Sequence, residues 1–437
     1  MKVLMFGWEF PPHISGGLGT ACYGLTRGLA QINDLDIVFV VPKAHGDEDQ
    51  SKMKLVGANG ITIKQVQTSV EKFKSQHTYL EVESQLIPYN DPEEYYSFSS
   101  EELCGKNKFF KVDKQGKLEF SGKYGTNLIE EIYKYAYVAS TISGKYEHDV
   151  IHAHDWLCYP AGIAAKEVSG KPLVIHVHAT DFDRSGGNVN PKVFEIEKMG
   201  MDAADKIIAV SNLTRNIVIE KYGQDPKKVY TVYNAVEPVS LAEKIKIKKG
   251  VKEKVVTFLG RITMQKGPEY FVEAAYQVLK RTNNVRFVMA GNGDMLEKMV
   301  DRAAQLGISD KFHFTGFLKG DDVFKMFLLS DVYVMPSVSE PFGISPLEAM
   351  QSNVPVIISK QSGVSEILTH AVKVDYWDID AMADAIYGII KYDALSGVFK
   401  EEGKEEVDNL KWAKAAIHVH DVYTSAIKSF VPLSKKQ

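Results

Sequence analysis

Short, continuous runs of apolar residues punctuate this chain, and their lack of alternation constrains the fold more than any other feature. Six lie in the first half: Val3–Phe6, Ile37–Val41, Val150–Ala153, Leu173–Val177, Ile207–Val210 and Val229–Val232. Six more follow: Val255–Leu259, Val285–Ala290, Phe312–Thr315, Val332–Met335, Val354–Ile358 and Val372–Val374. A strand with one wet face alternates apolar and polar residues, whereas a strand covered on both faces reads as an unbroken Val/Ile run. The stretches between most runs are long enough for helices. The pattern predicts an α/β protein made of two doubly wound, Rossmann-like parallel sheets.

The expected N-terminal domain covers 1–236 and the second covers 254–413. The Lys- and Glu-rich segment 237–253 between them reads as a solvated connector. Beyond it, Trp412, Ala416, Val419, Val422, Tyr423, Ala426 and Ile427 keep helical spacing, so 414–437 is expected to be a helix packing back on the first domain. Residues 43–125 are irregular, with Tyr79, Tyr89, Tyr95, Tyr96 and Phe98 among polar residues. They suit either an aromatic loop that meets substrate or a surface insertion.

Composition excludes several classes. The 52 Lys+Arg against 56 Asp+Glu leave a net charge of −4, so a polyanion-binding protein is not expected and no nucleic-acid partner is inferred. Three cysteines are too few for a disulfide scaffold and fit a reducing compartment. The apolar run Val3–Trp8 is too short for a signal peptide, and no run of 18 apolar residues exists. The reading is a soluble, cytoplasmic protein without membrane contact; a homo-oligomer is left open.

Ligands of doubly wound folds sit beyond the carboxyl ends of the strands. After the first run comes Pro11-Pro12-His13-Ile14-Ser15-Gly16-Gly17-Leu18-Gly19, where glycines permit close backbone approach and a helix start favours an anion. The third run continues into His152-Ala153-His154-Asp155-Trp156 and the fourth into His176-Val177-His178. Each His-x-His pair shares a strand face, which suits either a metal or neutral histidines bonded to a sugar.

In the second half, the first run leads into Gly260-Arg261, then Lys266-Gly267-Pro268. Two fixed cations there fit a diphosphate whose charge grows as its bond breaks. Gly291-Asn292-Gly293 offers a turn that admits a nucleotide backbone, and Phe317 offers a ring to stack on a base. Glu340-Pro341-Phe342-Gly343-Ile344-Ser345-Pro346-Leu347-Glu348 puts one carboxylate in a loop and another early in a helix. Carboxylates suit hydroxyl-rich ligands because each oxygen accepts two hydrogen bonds.

Glu340 with Glu348, and Arg261 with Lys266, closely resemble the nucleotide-sugar half of retaining glycosyltransferases with the GT-B fold. Gly16-Gly17-Leu18 and His154-Asp155-Trp156 narrow the resemblance to the glycogen and starch synthases. It implies a glucosyltransferase moving glucose from ADP-glucose or UDP-glucose to the non-reducing end of an α-1,4-glucan, glycogen or a maltooligosaccharide, with no cofactor and no metal. A transferase with a small sugar or sugar-phosphate acceptor shares the same donor half. A metal-dependent hydrolase built on the His-x-His pairs is a distant alternative.

The resemblance further implies that Arg261 and Lys266 neutralise the leaving diphosphate, Glu340 binds the transferred sugar and Glu348 holds the ribose. Gly16, Gly17, Leu18, Gly291, Phe317, Phe342, Gly343, Ile344 and Ser345 would complete the donor site. His178 would sit beside the anomeric carbon, with His154, Asp155 and Asn234 on the sugar and acceptor side. Two departures stand out. Ile14 and Ser15 replace the family's Lys-Thr before the glycines, and Asn234-Ala235-Val236-Glu237 replaces Asn-Gly-Val-Asp. A retaining glycosidase needs a second carboxylate as nucleophile, and no carboxylate in the first-half motifs is an evident one. The family is thought to use front-face displacement, in which the leaving phosphate takes the proton of the incoming hydroxyl.

Overall fold

A computed structural model describes residues 1–13, 16–61, 117–122, 124–125, 127–237 and 249–431. The aromatics Tyr79 to Phe98, the Ile14-Ser15 departure and most of the connector fall outside these residues.

The first sheet has seven strands: β1 (Lys2–Phe6), β2 (Asp36–Val41), β3 (Lys54–Gly57), β4 (Val150–His154), β5 (Leu173–Val177), β6 (Lys206–Ala209) and β7 (Val229–Thr231). They are parallel and ordered β3-β2-β1-β4-β5-β6-β7. The second has six: β8 (Lys254–Leu259), β9 (Val285–Ala290), β10 (Phe312–Gly316), β11 (Val332–Met335), β12 (Val356–Ser359) and β13 (Val372–Val374). Its order is β10-β9-β8-β11-β12-β13, again parallel. All twelve apolar runs correspond to strands; β3 is the addition, a four-residue edge strand in which only Leu55 and Val56 are strongly apolar.

The unbroken runs feed two cores at once. In β1, Val3 and Met5 join one cluster with the helices Gly17–Leu29 and Trp412–Ser429. Leu4 and Phe6 join another with the helices Leu128–Lys145 and Tyr159–Ser169. Burying both faces is what alternation would have forbidden.

The C-terminal helix Trp412–Ser429 therefore lies on the first sheet, although the chain reaches it from the second. Its seating needs two glycines of the facing helix. A Cβ at Gly24 would strike the Trp412 indole, and one at Gly28 would lie 2.6 Å from the Trp412 carbonyl oxygen. Contacts between the two halves are also apolar: Val210 and Val236 pack in the cluster of Phe342, Leu347 and Val364. No described helix is long and apolar enough to cross a membrane.

Candidate functional site

Both sheets deliver polar residues at their carboxyl ends. Beyond β4, Asp155 adopts a left-handed backbone (φ 59°) that turns its carboxylate across to the end of β5. Its Oδ1 accepts hydrogen bonds from the backbone N–H of His178 at 2.9 Å and Ala179 at 3.3 Å. Its Oδ2 accepts from Arg184 Nη2 at 3.2 Å. Arg184 also donates to Glu197 Oε1 at 3.0 Å and to the Ala179 carbonyl at 3.2 Å. Tyr222 donates its hydroxyl to Glu197 as well. Burial raises the Glu197 carboxyl to about 7, with Arg184 and Tyr222 opposing the rise. The loop that carries His178 is thus bolted to a buried network whose central cation is Arg184.

His178 Nε2 lies 2.9 Å from His154 Nδ1. Burial lowers the His178 pKa, Asp155 acting the other way, so the ring is neutral near pH 7. His154 is fully buried, whereas His178 is partly exposed.

Thr180 caps the short helix Asp181–Ser185: its N–H and hydroxyl each donate to Asp183 Oδ2 at 2.8 Å. Asp183 Oδ1 is left to accept from Ser339 Oγ at 2.6 Å, a residue of the second half.

Ser339 belongs to the loop after β11. After β8, the backbone turns through Met264–Lys266 into Gly267, whose φ of 64° suits glycine and whose Cβ would collide with the Pro336 carbonyl. That turn and the β11 loop are stitched together. Arg261 Nη2 donates to Gln265 Oε1 at 3.2 Å, and Gln265 Nε2 donates to the Ser339 carbonyl at 3.1 Å. Val338 N–H donates to the Gln265 carbonyl at 2.9 Å. Lys266 Nζ pairs with Glu340 Oε2, which also accepts from Ser337 Oγ at 3.3 Å. Glu340 itself is buried and its backbone bonds both Gln361 and Gly363.

The chain continues through Gly343 (φ 99°) into the helix Ser345–Gln351. Gly343, Ile344 and Ser345 are partly exposed, and Ile344 packs against clusters of both halves. Glu348 keeps part of its side chain accessible, yet desolvation of the carboxyl pushes its pKa up to about 7. Phe342 is buried beside Tyr233, so its ring serves packing. Gly291 has a packing reason of its own, since a Cβ there would fall on the Gly260 carbonyl.

At Gly16 and Gly17 the situation is reversed: both are exposed and an added Cβ would meet nothing within 4 Å among the described residues. Leu18 is partly buried and Asn234 buried. Phe317 is 52 % exposed and follows edge strand β10, two strands from β8. The structure thus ties Arg261, Lys266 and Glu340 into one assembly with Asp183, while Asp155, His154 and His178 form a second assembly on the facing loops.

Sequence reasoning did not single out Asp183, Arg184, Glu197, Ser339 or Glu366. Asp183 and Arg184 had a signal, lying directly after the His178 loop. Glu366 had none: its carboxylate accepts from the N–H groups of Asn212 (2.9 Å) and Leu213 (2.7 Å) and from the Tyr233 hydroxyl (2.9 Å), capping a helix of the other half.

Known proteins resemble this chain in sequence and in architecture. The family model described as glycosyl transferases group 1 matches residues 240–406, and that of Glycosyltransferase Family 4 matches 128–239. An uncharacterized glycosyltransferase of Methanocaldococcus jannaschii is 28% identical, over 98% of this chain and 99% of its own. Glycogen synthase of Mycobacterium tuberculosis is 22% identical over 98% and 95%. D-inositol 3-phosphate glycosyltransferase of Salinispora arenicola is 26% identical over 68% and 73%. The solved structure of sucrose-phosphate synthase from Thermosynechococcus elongatus superposes with a TM-score of 0.69 at 17% identity, covering 98% of this chain and 99% of that one. The two-sheet architecture is that of the GT-B fold.

Proposed function

We propose that this group 1 glycosyltransferase of GT-B fold moves glucose from ADP-glucose or UDP-glucose onto the non-reducing end of an α-1,4-glucan, with retention at the anomeric carbon. The observation that carries the reading is the Lys266–Glu340 pair, held next to Arg261 and tied through Ser339 to the loop of His178. A nucleotide sugar brings its own diphosphate and hydroxyls to such a place. The diphosphate takes up Arg261 and Lys266, and Glu340, released from the lysine, accepts hydroxyls of the sugar.

In this mechanism the protein supplies fixed charge rather than a nucleophile. As the sugar–phosphate bond lengthens, negative charge grows on the leaving oxygen beside Arg261 and Lys266. Positive charge grows at the anomeric carbon, where a neutral His178 and its backbone carbonyl face it without repulsion. The leaving phosphate takes the proton of the acceptor hydroxyl on the same face, so the sugar keeps its configuration and no metal enters the step. Glu348 holds the ribose, and the open Gly16-Gly17 turn approaches the phosphates. Asp155 positions His178 through its backbone N–H.

A second reading has its own support. The relative named D-inositol 3-phosphate glycosyltransferase is 26% identical over 68% of this chain, so a sugar-phosphate acceptor deserves the same trial. Purified protein with radiolabelled ADP-glucose or UDP-glucose is offered glycogen, maltooligosaccharides and phosphorylated sugars in parallel. Incorporation into glucan alone supports the first reading and incorporation into a phosphorylated sugar the second. No transfer from either donor to any acceptor refutes both.

A further inference from the structure

The strands β4 and β5 place four histidines on one face of the first sheet, under the helices Gly17–Leu29 and Trp412–Ser429. His154 and His176 are register partners, and His152 and His178 lie two residues away on the same face. Three of the four are fully enclosed: His152, His154 and His176 are 0–2 % exposed. A neutral imidazole always carries one N–H and one lone pair, and enclosure obliges both to find partners.

They do not find them within the described protein. His152 Nε2, His154 Nε2 and both ring nitrogens of His176 are buried without a hydrogen-bond partner. The nitrogens that do have partners are on the other side of the rings. His152 Nδ1 meets the Tyr423 hydroxyl at 2.6 Å, and His154 Nδ1 meets His178 Nε2 at 2.9 Å. Ligand atoms of His152, His154 and His176 lie within 4.8 Å of one another. His152 and His154 thus each have one nitrogen oriented by a neighbour and the other left over, as metal-binding imidazoles are presented, and His176 has both left over.

We infer that His152, His154 and His176 form a structural site for a zinc-class divalent ion, with a water as fourth ligand. Three imidazoles without a carboxylate favour zinc, cobalt, nickel or copper over magnesium or calcium. Metal–nitrogen bonds of about 2.0–2.1 Å would draw the three nitrogens in from their present separations of up to 4.8 Å. The ion would sit inside the sheet face, apart from Arg261 and Lys266, and would hold Tyr423 of the C-terminal helix through His152. It takes no part in the proposed transfer.

Protein prepared without a histidine tag, and without chelator, is analysed for bound metals and then, after stripping, titrated with Co²⁺ and Zn²⁺. About one equivalent of metal, a tetrahedral Co²⁺ absorption band and a zinc-dependent rise in melting temperature saturating at one equivalent are expected. His176→Gln and His152→Gln should each lower bound metal at least tenfold with circular dichroism unchanged. Should a variant fail to fold, the cobalt band of the unaltered protein still decides. A stripped protein that shows no band and no zinc-dependent stabilisation overturns the inference and leaves buried water as the partner of these rings. Metal binding undiminished in both folded variants also overturns it.

Discussion

Ser339 Oγ donates a 2.6 Å hydrogen bond to Asp183 Oδ1 across 156 positions of sequence. On one side of that bond Ser339 is followed by Glu340; on the other, Asp183 belongs to the helix just after His178. The bond therefore fixes how far the Glu340 segment stands from the loop of His178. Burial raises the Asp183 pKa, and the bonds from Ser339 and Thr180 counter it.

Ser339→Ala should lower kcat by roughly 10- to 100-fold, the scale of a misplacement of about 1 Å in a preorganised site. The folding cost should be about 1 kcal/mol, as for one lost hydrogen bond. Steady-state kinetics alongside urea unfolding separate the two, and an unchanged kcat would remove Ser339 from the positioning machinery.

Lys266→Ala and Glu340→Gln test the charge assembly. Each should reduce kcat on the order of 10²–10³-fold, as expected for removing a preorganised electrostatic contact to a developing charge. Stability should fall by only about 1–3 kcal/mol, the cost of leaving the buried partner unsatisfied. Melting curves near the wild-type value with transfer lost would separate chemistry from folding; transfer at wild-type rate in either variant would sink the assignment.

Glu348 makes the site sensitive to pH. Its pKa is raised by burial from 4.5 unfolded to about 7 folded. Its stabilising contribution is therefore complete below pH 4.5 and is lost as pH rises through about 7, because the folded chain resists ionisation that the unfolded chain accepts. Glu348→Gln should gain stability relative to wild type between pH 5 and 8, roughly following that titration. With Glu348 on the ribose, as proposed, donor binding should run the other way: as the carboxylate is protonated below about pH 7, donor KM should rise up to about tenfold. A KM–pH profile identical in wild type and Glu348→Gln would contradict the ribose contact.

Gly28→Ala probes the seating of the C-terminal helix. The new methyl group would lie 2.6 Å from a backbone carbonyl of Trp412, which cannot rotate away. Overpacking of this kind costs about 1–3 kcal/mol. Chemical unfolding followed by tryptophan fluorescence should show the loss, whereas Gly16→Ala, with open space around its Cβ, should leave the midpoint unchanged.

Much of the fold was legible because parallel strands buried on both faces write themselves as unbroken apolar runs. β3 escaped because an edge strand needs only Leu55 and Val56 to pack, too little to form a run. Glycines carry reasons that a sequence shows less clearly than it shows strands. Gly291 looked like an opening for a nucleotide, yet the neighbouring Gly260 carbonyl already requires it. Gly16 and Gly17 have no such reason among the described residues. Phe342, similarly, packs in a core cluster just before the Gly343 turn. The candidate charges were visible from their positions after strands, but the Asp183–Ser339 and Glu366–Asn212 bonds join distant residues with no local pattern, and only the folded chain brings them together.

The returning helix gives the molecule a mechanical property. The backbone passes from the first sheet to the second after Val236 and comes back just before Trp412, and the two passages touch: Val236 N–H donates to the Leu410 carbonyl at 3.4 Å. Two adjacent covalent tethers define a pivot line, where a single tether would be a swivel. Opening and shutting about that line is the easy motion, while twisting one half over the other would shear both tethers. A protease cut in the connector would leave the halves still joined through the second passage, so nicked protein should stay together until it is unfolded.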